Sequence, residues 1–118
     1  MYHFKWVTLH VANMEKSLKF YGDLLGMSVA EHIEGHGIEI NMMATENGVC
    51  VELLHREGET VSEPGQGISF GLGVDDVEAL VTKVKDAGIE VEGPFLPNPK
   101  LSFYFVADPD GYTIQLLS

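Results

Sequence analysis

Val7-Thr8-Leu9-His10-Val11, then Asn13 to Leu25, then Gly26-Met27-Ser28-Val29, sets out a plan that the chain uses twice. The second copy runs Ile68-Ser69-Phe70-Gly71-Leu72-Gly73-Val74, then Asp75 to Ala87, then Gly88-Ile89-Glu90-Val91. Each copy reads as an alternating strand, an amphipathic helix, a glycine stop and a new strand. In the first helix Met14, Leu18, Tyr21 and Leu25 fall on one helical face. Asn13 is placed to cap its start and Gly26 to end it. In the second helix Val77, Leu80, Val81 and Val84 make the stripe. Asp75-Asp76-Val77-Glu78 reads as a capping box led by Asp75, and Gly88 is the stop.

Working outward, strands follow each helix. Ser28 to Ile33 and Ile38 to Met43 flank the turn Glu34-Gly35-His36-Gly37, and Asn47-Gly48 is a tight-turn signal before Val49 to His55. Leu101 to Val106 and Tyr112 to Leu117 flank Asp108-Pro109-Asp110-Gly111, another turn. Glu57 to Gln66 reads as a polar linker, and Pro94 to Lys100, with three prolines, as an extended loop. The fold class expected is α+β, as βαβββ twice. Residues 1–118 form a single domain, with module 1 at about 1–58 and module 2 at about 66–118.

The composition fits that reading. A chain of 118 residues with 45% hydrophobic and 21% charged residues can bury one core. The formal net charge is -11, and an anionic surface repels both phosphate backbones and anionic lipid, so neither nucleic acid nor membrane is an expected partner. No apolar run approaches the ~20 residues that span a bilayer. Met1-Tyr2-His3-Phe4-Lys5 lacks the pattern of a signal peptide, so a soluble, cytoplasmic setting is expected. The single cysteine, Cys50, permits no intrachain disulfide and no cysteine zinc site.

Side chains alternate across a strand, which sorts the residues by face. Val7, Leu9 and Val11 oppose Trp6, Thr8 and His10. Val49, Val51 and Leu53 oppose Cys50, Glu52 and Leu54. Ile68, Phe70, Leu72 and Val74 oppose Ser69, Gly71 and Gly73, and Ile114 and Leu116 oppose Thr113, Gln115 and Leu117. One face of each strand suits burial under a helix. The other is too polar for dry packing and too apolar for open water, which suits a ligand cavity; plain solvation is the competing account. Gly71 and Gly73 leave room there. Tyr104 and Ser102 join that face if Phe103 and Phe105 pack inward.

The run Leu9-His10-Val11-Ala12-Asn13-Met14-Glu15-Lys16-Ser17-Leu18-Lys19-Phe20-Tyr21, followed by Leu25-Gly26-Met27, resembles the opening of the vicinal oxygen chelate superfamily. That superfamily takes in glyoxalase I, bleomycin-resistance proteins and extradiol dioxygenases. Phe105-Val106-Ala107-Asp108-Pro109-Asp110-Gly111-Tyr112-Thr113-Ile114-Gln115-Leu116 resembles its closing motif. The resemblance implies two βαβββ modules whose curled mixed sheets form a cup, completed within a homodimer. It also implies that the metal enzymes' four ligands fall on Trp6, Glu52, Ser69 and Gln115. Of these Glu52 alone suits a transition metal, since Zn²⁺, Ni²⁺ and Fe²⁺ favour His, Cys and carboxylate. The expectation is therefore no metal and no cofactor.

Glu52 is the sharpest residue on the mixed face. It can serve as a general base, anchor a cationic ligand, or stand as an internally satisfied polar group. His10 can contact substrate, join Glu52 at a shifted metal site, or simply form part of the wall. Cys50, with an acid for a neighbour, reads as an inert small residue. The first expectation is a small-molecule-binding protein of the glyoxalase/bleomycin-resistance type. Its ligand, amphipathic and partly aromatic, would lie against Trp6, Thr8, His10, Cys50, Ser69, Tyr104 and Gln115 with Glu52 as the acceptor. The acidic balance favours a cation. The alternatives are a lyase or isomerase using Glu52 as base or ligand, and a cup face that serves as a subunit interface.

Overall fold

A computed structural model describes residues 1–61 and 67–118. Two compact units divide the chain, Met1–Ser62 and Glu63–Ser118. The expected linker Glu57 to Gln66 lies partly outside the described residues, as does the expected start of module 2 at residue 66.

The first unit contains β1 (Val7–His10), α1 (Met14–Leu18) running on into a π-helical turn (Lys19–Leu24), β2 (Ser28–Gly35), β3 (Ile38–Thr45) and β4 (Gly48–Arg56). Its sheet has the order β1-β4-β3-β2. β1 lies parallel to β4, pairing Val7 with Val51, Thr8 with Glu52, Leu9 with Leu53 and His10 with Leu54. The β2–β3 and β3–β4 pairs are antiparallel. The alternation works as the sequence suggests: Leu9, Val51, Leu53 and Met43 are buried together with Val11, Met14 and Tyr21. Asn13 caps α1, its side chain accepting from the Lys16 amide at 3.0 Å.

The helix departs from the expected Asn13 to Leu25. At the π turn the Leu25 amide donates to the Phe20 carbonyl, five residues back, at 3.0 Å. The wider turn rotates the side chains that follow it. The buried set is therefore Met14, Ser17, Phe20 and Tyr21, while Leu18 and Leu25 are half-buried.

The second unit contains β5 (Ser69–Gly73), α2 (Val77–Asp86), β6 (Glu92–Asn98), β7 (Leu101–Ala107) and β8 (Thr113–Leu117). The sheet order is β5-β8-β7-β6, again with the first strand parallel to the last. Phe70 and Leu72 face the same side as Ile114, Leu116, Tyr104 and Val106, and Val77, Val81 and Val84 of α2 are buried. The cap of α2 is Asp76, not Asp75: its carboxylate accepts from the Ala79 amide at 3.0 Å. The expected loop at Pro94 to Lys100 is in large part strand β6. Prolines are tolerated there because β6 is an edge strand, and its pairing with β7 is broken by two register shifts.

Candidate functional site

In the first unit the face turned away from the helix carries the polar residues that alternation placed there. The parallel register sets Thr8 directly beside Glu52, and the Thr8 hydroxyl donates to Glu52 Oε1 at 2.6 Å. Across β4 from Thr8, Glu52 also faces Met42 of β3. His10 stands two residues along β1, beside Leu54. Its Nδ1 meets Glu59 Oε1 at 2.7 Å. An ionised carboxylate only accepts, so Nδ1 carries the proton. That contact is the main cause holding the Glu59 carboxyl below its ordinary value, with Arg56 Nη1 at 3.9 Å adding a weaker pull. Sequence reasoning missed Glu59 because it sits 49 residues from His10 in a segment read as linker.

The other expected residues divide. Cys50 falls where β3 and β4 shift register between Met43 and Ala44, and burial pushes its thiol above the usual range. That suits an unreactive side chain at neutral pH. Trp6 precedes the strand, which begins at Val7, and is 40% exposed. His55, near the end of β4, donates Nδ1 to the Val11 carbonyl at 2.8 Å.

In the second unit Ser69 pairs with Thr113, and Gly71 with Gln115, which in turn pairs with Phe105. A side chain at Gly71 would meet Leu117 Cδ2 at 3.1 Å, so glycine there lets β5 and β8 present a shallow surface beside Gln115. Tyr104 corrects the expectation for β7. It is buried on the helix side, where its hydroxyl donates to Glu78 Oε1 of α2 at 2.6 Å. Phe103 and Phe105 take the open face instead, clustered with Phe95 at centroid distances of 5.4–5.7 Å. Both parities of β7 are aromatic, so hydrophobicity alone carried no sign; the hydroxyl's need for a partner decides it. A pocket of about 540 Å³ opens on this side, lined among others by Ser69, Thr113, Phe105, Glu90 and Glu92.

The closing turn is built on a carboxylate. Asp108 is buried and accepts from the Asp110 and Tyr112 amides, both at 2.9 Å. It delivers β7 into β8 and so sets the register that places Gln115.

Residues 3–116 match the Glyoxalase/Bleomycin resistance protein/Dioxygenase superfamily. The chain belongs to that superfamily. A probable lactoylglutathione lyase of Synechocystis sp. is 33% identical over 119 residues, covering 92% of this chain and 89% of that one. The trypanothione-dependent glyoxalase I of Leishmania major shares the fold with a TM-score of 0.84 at 24% identity, covering 100% of this chain and 87% of that one. TnmS3, an antibiotic binding protein from Streptomyces sp. CB03234, does so with a TM-score of 0.75 at 23% identity, covering 98% and 94%.

The superfamily's metal enzymes imply a metal at Trp6, Glu52, Ser69 and Gln115. The side chains present do not fit one. Indole nitrogen has no lone pair to give, and a neutral hydroxyl and amide are poor donors for the transition metals concerned. The remaining carboxylate, Glu52, already accepts the Thr8 hydroxyl. No group of three or more His, Cys, Asp and Glu side chains among the described residues is arranged to hold a metal.

Proposed function

We propose that the chain is a small-molecule-binding member of the superfamily whose central polar group is Glu52, used as a hydrogen-bond acceptor and not as a metal ligand. The observation that carries this is the 2.6 Å Thr8–Glu52 hydrogen bond at the one ligand position whose side chain could serve a metal. Thr8 holds the carboxylate in place, and its second oxygen carries lone pairs for a ligand donor. His10, fixed by Glu59, offers a second polar contact on the same strand face. Trp6 supplies an exposed aromatic surface in the residues leading into β1. The ligand favoured by this set is amphipathic and partly aromatic. Assembly as a homodimer belongs to the same proposal, since β2 and β6 are edge strands exposed along their whole length.

The test uses Trp6, the single tryptophan. Titration with a panel of amphipathic compounds, glutathione adducts and bleomycin-like cations included, is expected to change its fluorescence saturably. Glu52→Gln keeps the shape and removes the charge, and should weaken donor-bearing ligands about tenfold, the loss of one charge-assisted bond. Elemental analysis after growth with added metals should find no stoichiometric Zn²⁺, Ni²⁺, Fe²⁺ or Mn²⁺. One metal per chain, lost on Glu52→Ala, would overturn the reading.

A second reading has its own support in the relative named as a probable lactoylglutathione lyase at 33% identity. In it Glu52 is the general base of a lyase or isomerase. Turnover of a bound compound, abolished by Glu52→Gln while binding persists, would establish it in place of the first.

A further inference from the structure

The second unit carries a ligand feature that the Glu52 set does not use. We propose that the pocket at the start of β5 and β6 binds a small organic cation, an ammonium or guanidinium group on an apolar or aromatic body. This deepens the small-molecule-binding reading, on which it rests, by giving the ligand's charge and the residues that select it.

The argument begins with the walls. The volume, about 540 Å³, falls within the range of small-ligand sites. Ile68 and Phe105 give it apolar surface, and Ile68 is left 67% exposed at its edge. The Phe105 ring is held by Phe95 and Phe103 in edge-to-face contacts at 5.7 and 5.6 Å, so its wall is preformed. Ser69 and Thr113, paired across β5 and β8, add two hydroxyls.

The charge comes from Glu90 and Glu92. Alternation puts both on one side of the extended chain that leads into β6, and Glu92 pairs directly with Phe105. Among the described residues neither has a hydrogen-bond or ion-pair partner, whereas Glu52, Glu59 and Glu78 are each engaged by a neighbour. The unit's cations are Lys83 and Lys85, in the last turn of α2, and Lys100, between β6 and β7; none lines the pocket. Two uncompensated carboxylates beside a fixed aromatic ring favour a cation through both Coulomb attraction and the ring quadrupole. They disfavour an anion of the same size, as does the net charge of -11. The edge strand loosens from β7 beyond Glu92, where the register shifts before Phe95, which leaves the carboxylates accessible from one side.

The experiment compares three probes of one shape: phenethylammonium, phenethyl alcohol and hydrocinnamate. Binding is followed by amide chemical shifts in the intact chain. The expected result is saturable binding of phenethylammonium with shifts at Ser69, Phe105 and Thr113. The alcohol should bind about tenfold more weakly, the carboxylate not at all, and added salt should weaken the cation. Glu90→Gln with Glu92→Gln should reduce cation affinity about tenfold while the remaining amide spectrum reports an intact fold. Glu31→Gln, an exposed carboxylate on β2 of the other unit, should leave it unchanged. Equal affinity for the alcohol overturns the proposal. So does a cation whose shifts lie elsewhere, or one that ignores the double substitution. If cation binding instead follows Glu52, this proposal fails while the Glu52 reading stands. Absence of binding by all three probes also overturns it, and the Trp6 titration then judges the broader reading separately.

Discussion

Thr8 and Glu52 meet because two strands far apart in sequence run parallel in one register. Neither residue is deeply buried, so the bond matters more for orientation than for stability. Thr8→Val should cost no more than about 1 kcal/mol of stability yet weaken any ligand that depends on the Glu52 geometry; chemical denaturation and the Trp6 titration separate the two effects. His32 offers a pH reading. Its Nδ1 meets Asn41 Oδ1 at 2.8 Å, and its Nε2 lies 3.2 Å from Glu34 Oε2. The Asn41 bond first, then Glu34, holds the imidazole above its ordinary value, with Glu39 adding to the pull. A raised value means that the protonated ring favours the folded state. The contribution is therefore complete below the unfolded histidine value and is lost as pH rises through the folded one. Proton NMR titration should show a midpoint for His32 above the ordinary histidine value. Asn41→Ala should lower it. The opposite sign applies at Glu59, where the contribution is present above the unfolded carboxyl value and lost as pH falls through the depressed folded one.

At the scale of elements, the first helix holds the plainest departure from pattern. Ser17 is fully buried on it, and among the described residues its hydroxyl has no partner. Removing an unsatisfied buried hydroxyl while improving helix propensity should help. Ser17→Ala is expected to raise stability by about 0.5–1 kcal/mol, measured by urea unfolding. The Asp108 turn predicts the reverse. Asp108→Ala strands two backbone amides in one step and should cost about 1–3 kcal/mol, with the loss of β8 register visible as shifts at Gln115. The sequence made much of this scale legible. The Asn13 cap, the turns and the alternation of β1, β4, β5 and β8 follow from local chemistry, and local chemistry is what a single sequence records; the cap of α2 was read one residue early. The π turn was not legible, because a period of hydrophobic residues cannot say where a helix widens. Nor was the edge strand β6, because its two prolines, Pro94 and Pro97, argue against a central strand and are silent about an outer one.

At the scale of the whole molecule, the repeated plan was the strongest signal, and it survives in two sheets of matching strand order. The site was less legible. Alternation placed Thr8 and Glu52 on one face, but it said nothing of Glu59, which reaches His10 from a polar segment, or of Glu90 and Glu92, which lie just before and at the start of an edge strand. Tyr104 was sorted by a hydroxyl whose partner lies on α2, a contact no strand pattern contains.

The parallel pairing of β1 with β4 and of β5 with β8 has a consequence for how the chain folds. Within each unit the antiparallel strands are joined by short turns and can zip locally. The opening strand must wait, because its partner lies 44 residues ahead of it in the first unit. Closing so long a loop costs entropy before any contact repays it. The meander β2–β3–β4 should therefore form the nucleus, with β1 seated after the barrier. Conservative truncations at Met43 and Val51 should slow refolding. Truncation of Leu9 should leave refolding nearly unchanged and accelerate unfolding instead, so the strand that carries Thr8 and His10 is the last part of its unit to arrive and the first to leave.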